Sequence, residues 1–305
     1  MHKMRLGEYI VRFFLRLLSW LPLRVHYALG GILSFLAEKI FRYRVHDVTV
    51  NLSRSFPELK YRELKDLRHR FYRHFGEVIA ETVWFGGLRG GKRLHRRRLV
   101  ELENPEELQR LYDSAPGVMV LMSHAGNWEL IGGIASYVYD DGPVCFNEGN
   151  FCVVYLRQSS RMWDSILRSN RTAPLLDRRH FPGYIESREI VRYAYEHKGE
   201  KKIYNFITDQ SPYFDAPDLP EVTFMHQRTR TMKGAADIAR KFGMAVCFLS
   251  MRSEGRGHYI MKYEPICDNA SGLSRQEIMD KYYALLEADI QAQPWNYLWT
   301  HRRWK

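Results

Sequence analysis

The segment S-H-A-G-N-W-E-L at residues 123–130 places His124 and Glu129 five positions apart. The apolar run Gly117–Met122 before it predicts a buried strand ending at Ser123-His124. Gly126 then supplies a turn, Asn127 a helix N-cap, and Trp128-Glu129-Leu130 the first helical turn. On one continuous helix a five-residue step is a rotation of ~140°, and the two side chains would diverge. Across a strand–turn–helix corner they can meet. A carboxylate held against one ring nitrogen fixes the imidazole tautomer and leaves the other nitrogen as a general base. The N–H groups at the helix start, near Asn127 and Trp128, could receive developing negative charge. The same spacing also suits a structural strand-end histidine beside a capping glutamate, and spacing alone does not separate the two. Ser123 has no G-x-S-x-G elbow, and Cys145 lies 21 residues beyond His124. With no nucleophile at hand, the chemistry favoured is direct transfer, the base activating a hydroxyl of the substrate.

These residues need a scaffold, and the chain beyond residue 116 reads as α/β. Short apolar runs predict strands at Val118–Met122, Val144–Phe146, Val153–Leu156, Ile203–Ile207, Ala245–Met251 and Tyr259–Tyr263. Helical patterns occupy 127–139, 159–169, 186–198, 232–242 and 275–291, so a mixed or mostly parallel sheet flanked by helices is expected. Asp209 and Gln210 follow the strand Ile203–Ile207, where active-site loops of such sheets sit. They are expected to position substrate or fix an arginine, the alternative being a turn with a buried salt bridge. Neither a dinucleotide nor a nucleoside-triphosphate loop occurs. Four cysteines without C-x-x-C spacing fit a reducing compartment and offer no metal site, and the scheme requires no cofactor.

The charge is lopsided. Residues 1–100 hold 21 Lys and Arg against 8 Asp and Glu, while the remaining 205 hold 25 against 27. The first third is therefore expected to face something anionic. Wound as a helix, residues 5–21 line up Arg5, Glu8, Arg12, Arg16 and Ser19 as a stripe beside a wide apolar face that includes Phe13, Phe14, Leu17 and Trp20. This suits a helix lying in a bilayer interface, although a helix buried on the domain has the same pattern. Leu64, Leu67, Phe71, Phe75 and Val78 continue the helical spacing. The run R-G-G-K-R-L-H-R-R-R at 89–98 reads as a solvated loop or as a patch for phosphate-bearing lipid or an acidic carrier protein. No recognisable nucleic-acid motif accompanies it, and no nucleic acid is expected. The division expected is a basic, membrane-associated helical segment over 1–100 and an α/β core over 101–305. At the C-terminus Arg302, Arg303 and Lys305, set among Trp299 and Trp304, are candidates for binding phosphate, or else form a packed tail. His301, Tyr193 and Tyr195 read as packing.

Taken together, H-x4-E after an apolar strand, the stretch Asp164–Arg171, T-D-Q-S-P at 208–212, T-F-M-H-Q-R-T-R-T-M-K-G at 223–234 and W-T-H-R-R-W-K at 299–305 resemble the bacterial lipid A biosynthesis acyltransferases of lauroyl or myristoyl type. These lie within the H-x4-D/E glycerolipid acyltransferase superfamily. The resemblance runs the length of the chain. It implies a glycerolipid-acyltransferase-like core on the cytoplasmic face of the inner membrane, with acyl carrier protein as donor and a phosphorylated, acylated glucosamine disaccharide as acceptor. His124 and Glu129 would be catalytic. Relatives often carry a basic residue and a proline after the tyrosine of the second block; here Tyr155-Leu156-Arg157-Gln158 departs from that, leaving Arg157 or Arg168 to contact phosphate or the oxyanion. A different membrane acceptor, or a binding protein without catalysis, would share several of these features.

Overall fold

In a computed structural model describing residues 6–86, 90–139, 142–176, 181, 184–212 and 217–304, five helices come first. They are α1 (Leu6–Ser19), α2 (Leu23–Phe35), α3 (Val45–Ser55), α4 (Tyr61–Phe85) and α5 (Gly90–Arg97). The apolar face of α1 stays outside: Phe13, Phe14 and Leu17 are exposed, as are Leu29, Ile32 and Leu33 on α2, and Trp20 between them is 74% exposed. No described helix is long and apolar enough to cross a membrane. The basic run winds into α5, with Lys92, Arg96 and Arg97 in solvent; Arg89 lies outside the described residues. Arg93 of the same helix donates instead to the carbonyls of Ser19 and Trp84.

Helix α2 lies against α4 at two glycines. A Cβ built on Gly30 would meet the carbonyl oxygen of Gly76 at 2.5 Å, so backbone touches backbone there. Gly30→Ala is expected to push the helices apart and cost about 1–3 kcal/mol, typical of overpacking. Urea unfolding in detergent measures it, and an unchanged midpoint would mean that the contact is loose.

The rest of the chain adds β1 (Val100–Leu102), α6 (Pro105–Ser114), β2 (Val118–Met122), β3 (Phe151–Tyr155), α7 (Arg161–Arg171), β4 (Tyr184–Glu186), α8 (Ile190–Glu196), β5 (Ile203–Ile207), β6 (Glu221–Phe224), β7 (Gln227–Arg230), α9 (Gly234–Phe242), β8 (Ala245–Gly255), β9 (His258–Cys267) and α10 (Arg275–Ala292). Seven strands form one sheet in the order β1-β9-β8-β2-β5-β3-β4, with β6 and β7 a separate hairpin. Every pair in the large sheet is parallel except β8 with β9. Strand β2 sits near the middle and every residue of it is buried, because both faces of a parallel sheet are covered. Its alternate side chains feed two cores. Met119 and Leu121 pack with Phe71 and Tyr72 of α4, Phe248 and Tyr282. Val118, Val120 and Met122 pack with Trp84 and Phe85 of the same helix, Leu130 and Tyr259. Helix α4 therefore contributes to the core on both faces.

Most expected elements lie within a few residues of those observed. Val144–Phe146 is not a strand: Phe146 N–H closes a turn on the Pro143 carbonyl, and Val144 is 86% exposed. The helix expected over 127–139 is a 3₁₀ segment, Trp128–Ser136. Gly132 lies so close to α7 in this segment that a Cβ would overlap the Arg171 carbonyl.

Candidate active site

Parallel pairing of β2 with β5 puts Met122 opposite Ile207, so both strands end at the same edge of the sheet. The residues that follow meet there. Asp209 Oδ1 lies 2.8 Å from His124 Nδ1, and Asp209 Oδ2 accepts the His124 backbone N–H at 3.1 Å. A carboxylate on Nδ1 places the ring proton there and leaves the Nε2 lone pair available. Gln210 Nε2 is 3.2 Å from that nitrogen, and the Trp128 ring stands edge-on to the imidazole at 5.5 Å between centroids. Burial opposes the charge on Asp209, but the His124 imidazole, by charge and by hydrogen bonds, together with Tyr297, holds its carboxyl below the usual range. Asp209 is therefore an ionised, buried support for the ring.

Glu129 does not play that part. It forms a bidentate pair with Arg171, Nε to Oε2 at 2.9 Å and Nη2 to Oε1 at 3.1 Å. The expected His124–Glu129 contact is replaced for two reasons. The 3₁₀ winding of Trp128–Ser136 carries Glu129 towards the end of α7, where a guanidinium fork is a stronger partner than an imidazole. The adjacent β5 meanwhile delivers Asp209 to His124. Glu129 and Arg171 still line the same cavity of about 370 Å³ as His124, Trp128 and Gln210; Ile131, Val154 and Phe206 supply apolar wall. With the pair only partly exposed, Glu129→Ala should destabilise by about 2 kcal/mol, below the 3–5 of a fully buried pair. A denaturation midpoint that does not move would mean that Arg171 finds another partner.

The other candidates scatter. Asn127 is fully buried and does not line the cavity: it makes no side-chain cap, and its Nδ2 donates to Glu81 Oε2 at 2.8 Å. Arg157 is exposed between Leu156 and Gln158, which line the cavity while it does not. Arg168 is exposed and does not line the cavity, its guanidinium lying 5.5 Å from the centre of the ring of Tyr155, which does. Arg302 pairs with Asp47 at 3.1 Å. Arg303, a candidate for phosphate or for a packed tail, is buried, donating to the Arg230 carbonyl and Tyr283 hydroxyl. The tail is packed because Asn51 of α3 clamps the carbonyls of Trp299 and His301 at 2.9 Å each. Burial pushes the His301 ring down to about 4, and its Nε2 accepts from Ser211 N–H. Lys305 lies outside the described residues.

Two residues at the site were not candidates. Arg171 ends the stretch that carried the resemblance, but it shares an i, i+3 face of α7 with Arg168, and the pattern favours neither. Glu81 sits in a helix of ordinary amphipathic spacing, 46 residues from the Asn127 it holds.

A parallel-rich α/β sheet thus carries a carboxylate-held histidine at its strand ends, beside a partly apolar cavity. The sequence model of the bacterial lipid A biosynthesis acyltransferases matches residues 1–305, and the chain belongs to that family. Among curated proteins it is 26% identical over 304 residues to the lipid A biosynthesis lauroyltransferase of Escherichia coli (strain K12), a match covering 93% of this chain and 87% of that protein.

Proposed function

We propose that the protein moves a fatty acyl chain from acyl carrier protein to a hydroxyl of a lipid A precursor, an acylated, phosphorylated glucosamine disaccharide. The observation that carries this reading is His124, with Nδ1 tied to Asp209 and its other nitrogen beside the cavity. Nε2 takes the proton of the acceptor hydroxyl as its oxygen attacks the thioester carbonyl. The tetrahedral oxyanion forms, then collapses with cleavage of the carbon–sulfur bond, and His124 returns the proton to the departing thiolate. Arg171, held by Glu129, is the cation suited to steady the oxyanion or an acceptor phosphate. The apolar cavity wall suits an acyl chain. Residues 101–305 then carry the chemistry, and residues 1–100 seat the protein on the cytoplasmic face of the inner membrane. The exposed apolar residues of α1 and α2 and the cations of α5 support that seat.

The test is acyl transfer in detergent with a panel of acyl carrier protein thioesters, offering a tetra-acylated disaccharide bisphosphate and a lysophospholipid as competing acceptors. Product on the disaccharide is expected, and the panel reports chain length. Product on the lysophospholipid alone would keep the chemistry and change the acceptor. No transfer to either would contradict the reading.

A further inference from the structure

The loop that carries His124 is gripped from several sides. Leu298 N–H donates to the His124 carbonyl at 3.1 Å, and Gly126 N–H donates to the Asn296 carbonyl at 2.9 Å. Gly126 itself has φ of 60°, and a Cβ there would overlap the Met251 side chain, so the loop has no room to slide. Its remaining anchors come from α4. His74, buried and with its ring pushed down to about 4 by desolvation, bonds the Gly126 backbone. Glu81 accepts from Asn127 Nδ2 at 2.8 Å, from the Tyr259 hydroxyl at 2.8 Å and from the Tyr27 hydroxyl at 2.9 Å.

Glu81 is fully buried, and all three donors are neutral. Burial pushes its carboxyl up to about 7, the three hydrogen bonds pulling the other way. A carboxyl in that setting is costly unless its bonds are all made. Its partners connect three parts of the fold: Asn127 of the catalytic loop, Tyr259 of β9, and Tyr27 of α2, the helix whose Leu29, Ile32 and Leu33 face outward. Asn127 immediately precedes Trp128, whose ring stands against His124. We infer that Glu81 is a positioning residue for the transfer reaction: through Asn127 it sets the place of the His124–Trp128 loop, and through Tyr27 it ties that place to the outward-facing helices. This inference rests on His124 being the base. The competing account is that Glu81 only fastens the N-terminal helices to the core.

The experiment measures kcat and KM, per folded enzyme in the same detergent assay, for Glu81→Leu, Asn127→Ala, the double variant, Tyr27→Phe and His124→Ala. Leucine keeps most of the volume of Glu81 and removes both acceptor oxygens; a glutamine could keep its one oxygen on Asn127 and Tyr259, which share Oε2, and leave the link intact. Displacing a reacting group by about 1 Å can cost ~100-fold, so a partial release of the loop should lower kcat by about tenfold in each of Glu81→Leu and Asn127→Ala, with KM little changed. The double variant should be no worse than the worse single one, because both cut the same link. Tyr27→Phe should lower kcat in the same direction by a smaller factor. Full kcat per folded enzyme in Glu81→Leu, or losses that multiply in the double variant, would overturn the inference. If Glu81→Leu does not fold, Asn127→Ala decides, and an unchanged kcat there overturns it equally. His124→Ala separates the two levels. Activity retained in that variant would bring down the proposed chemistry, whereas its loss alongside a fully active Glu81→Leu brings down only the role given to Glu81.

Discussion

Replacing His124 by alanine is expected to lower kcat for acyl transfer at least about a hundredfold, the lower end of what a positioned general base contributes. The thioester is already activated towards attack, so the rate then rests on the hydroxyl losing its proton. Among the described residues lining this cavity, only His124 combines an unprotonated ring nitrogen with a buried carboxylate behind it. Binding should suffer little. The apolar wall and the Glu129–Arg171 pair are untouched by the substitution, and KM for both substrates should stay within a few-fold. Steady-state kinetics on the two substrates separates the parameters, and a loss confined to KM would assign His124 to binding.

Asp209→Asn is expected to do nearly as much damage, between about a hundredfold and the roughly 10⁴-fold known for the comparable change in a catalytic triad. The reason is the tautomer. A carboxylate at 2.8 Å accepts the hydrogen bond from Nδ1–H and leaves Nε2 without a proton. An asparagine can present an N–H to that nitrogen instead, which drives the ring proton to Nε2, the atom that has to act as base. Asp209 Oδ2 also accepts the His124 backbone N–H, which can only donate, so the asparagine oxygen is held there and its NH2 is turned towards the ring. By contrast Glu129→Gln leaves the imidazole supported and acts only through Arg171. Kinetics of the two amide variants side by side is the check: the larger loss belongs to Asp209, and the reverse order would return the supporting role to Glu129.

Much of the scaffold was readable because its cues are local. Val118–Met122 and Ile203–Ile207 are continuous apolar runs, which two-sided burial demands, and both are strands at those limits. The helical pattern over 275–291 is helix α10, Arg275–Ala292, which the structure shows opening on a capping box of Ser274 and Glu277. Val144–Phe146 misled because three apolar residues in a row look alike whether they form a strand or a turn with one side chain in solvent. The site was legible in part for the same reason. His124 stands where an apolar strand stops, and Gln210 follows another. The support of His124 was not legible, since Asp209 is 85 residues away and reaches it only through the parallel neighbourhood of β2 and β5. Nearness along the chain pointed to Glu129 instead. For Arg303 the sequence leaves phosphate binding and a packed tail equally open, because nothing local reveals that Tyr283 and the Arg230 carbonyl enclose it.

The central claim is that His124 takes the acceptor proton. Single-turnover transfer from an acyl carrier protein thioester to the disaccharide, followed from about pH 6 to about pH 9 in wild type and His124→Ala, tests it most directly. The account predicts a wild-type rate that does not depend on hydroxide, because the imidazole takes the acceptor proton. The variant should start at least about a hundredfold lower and climb with pH as hydroxide ionises the acceptor in place of the imidazole. Equal rates in the two proteins, with the same dependence on pH, would contradict it.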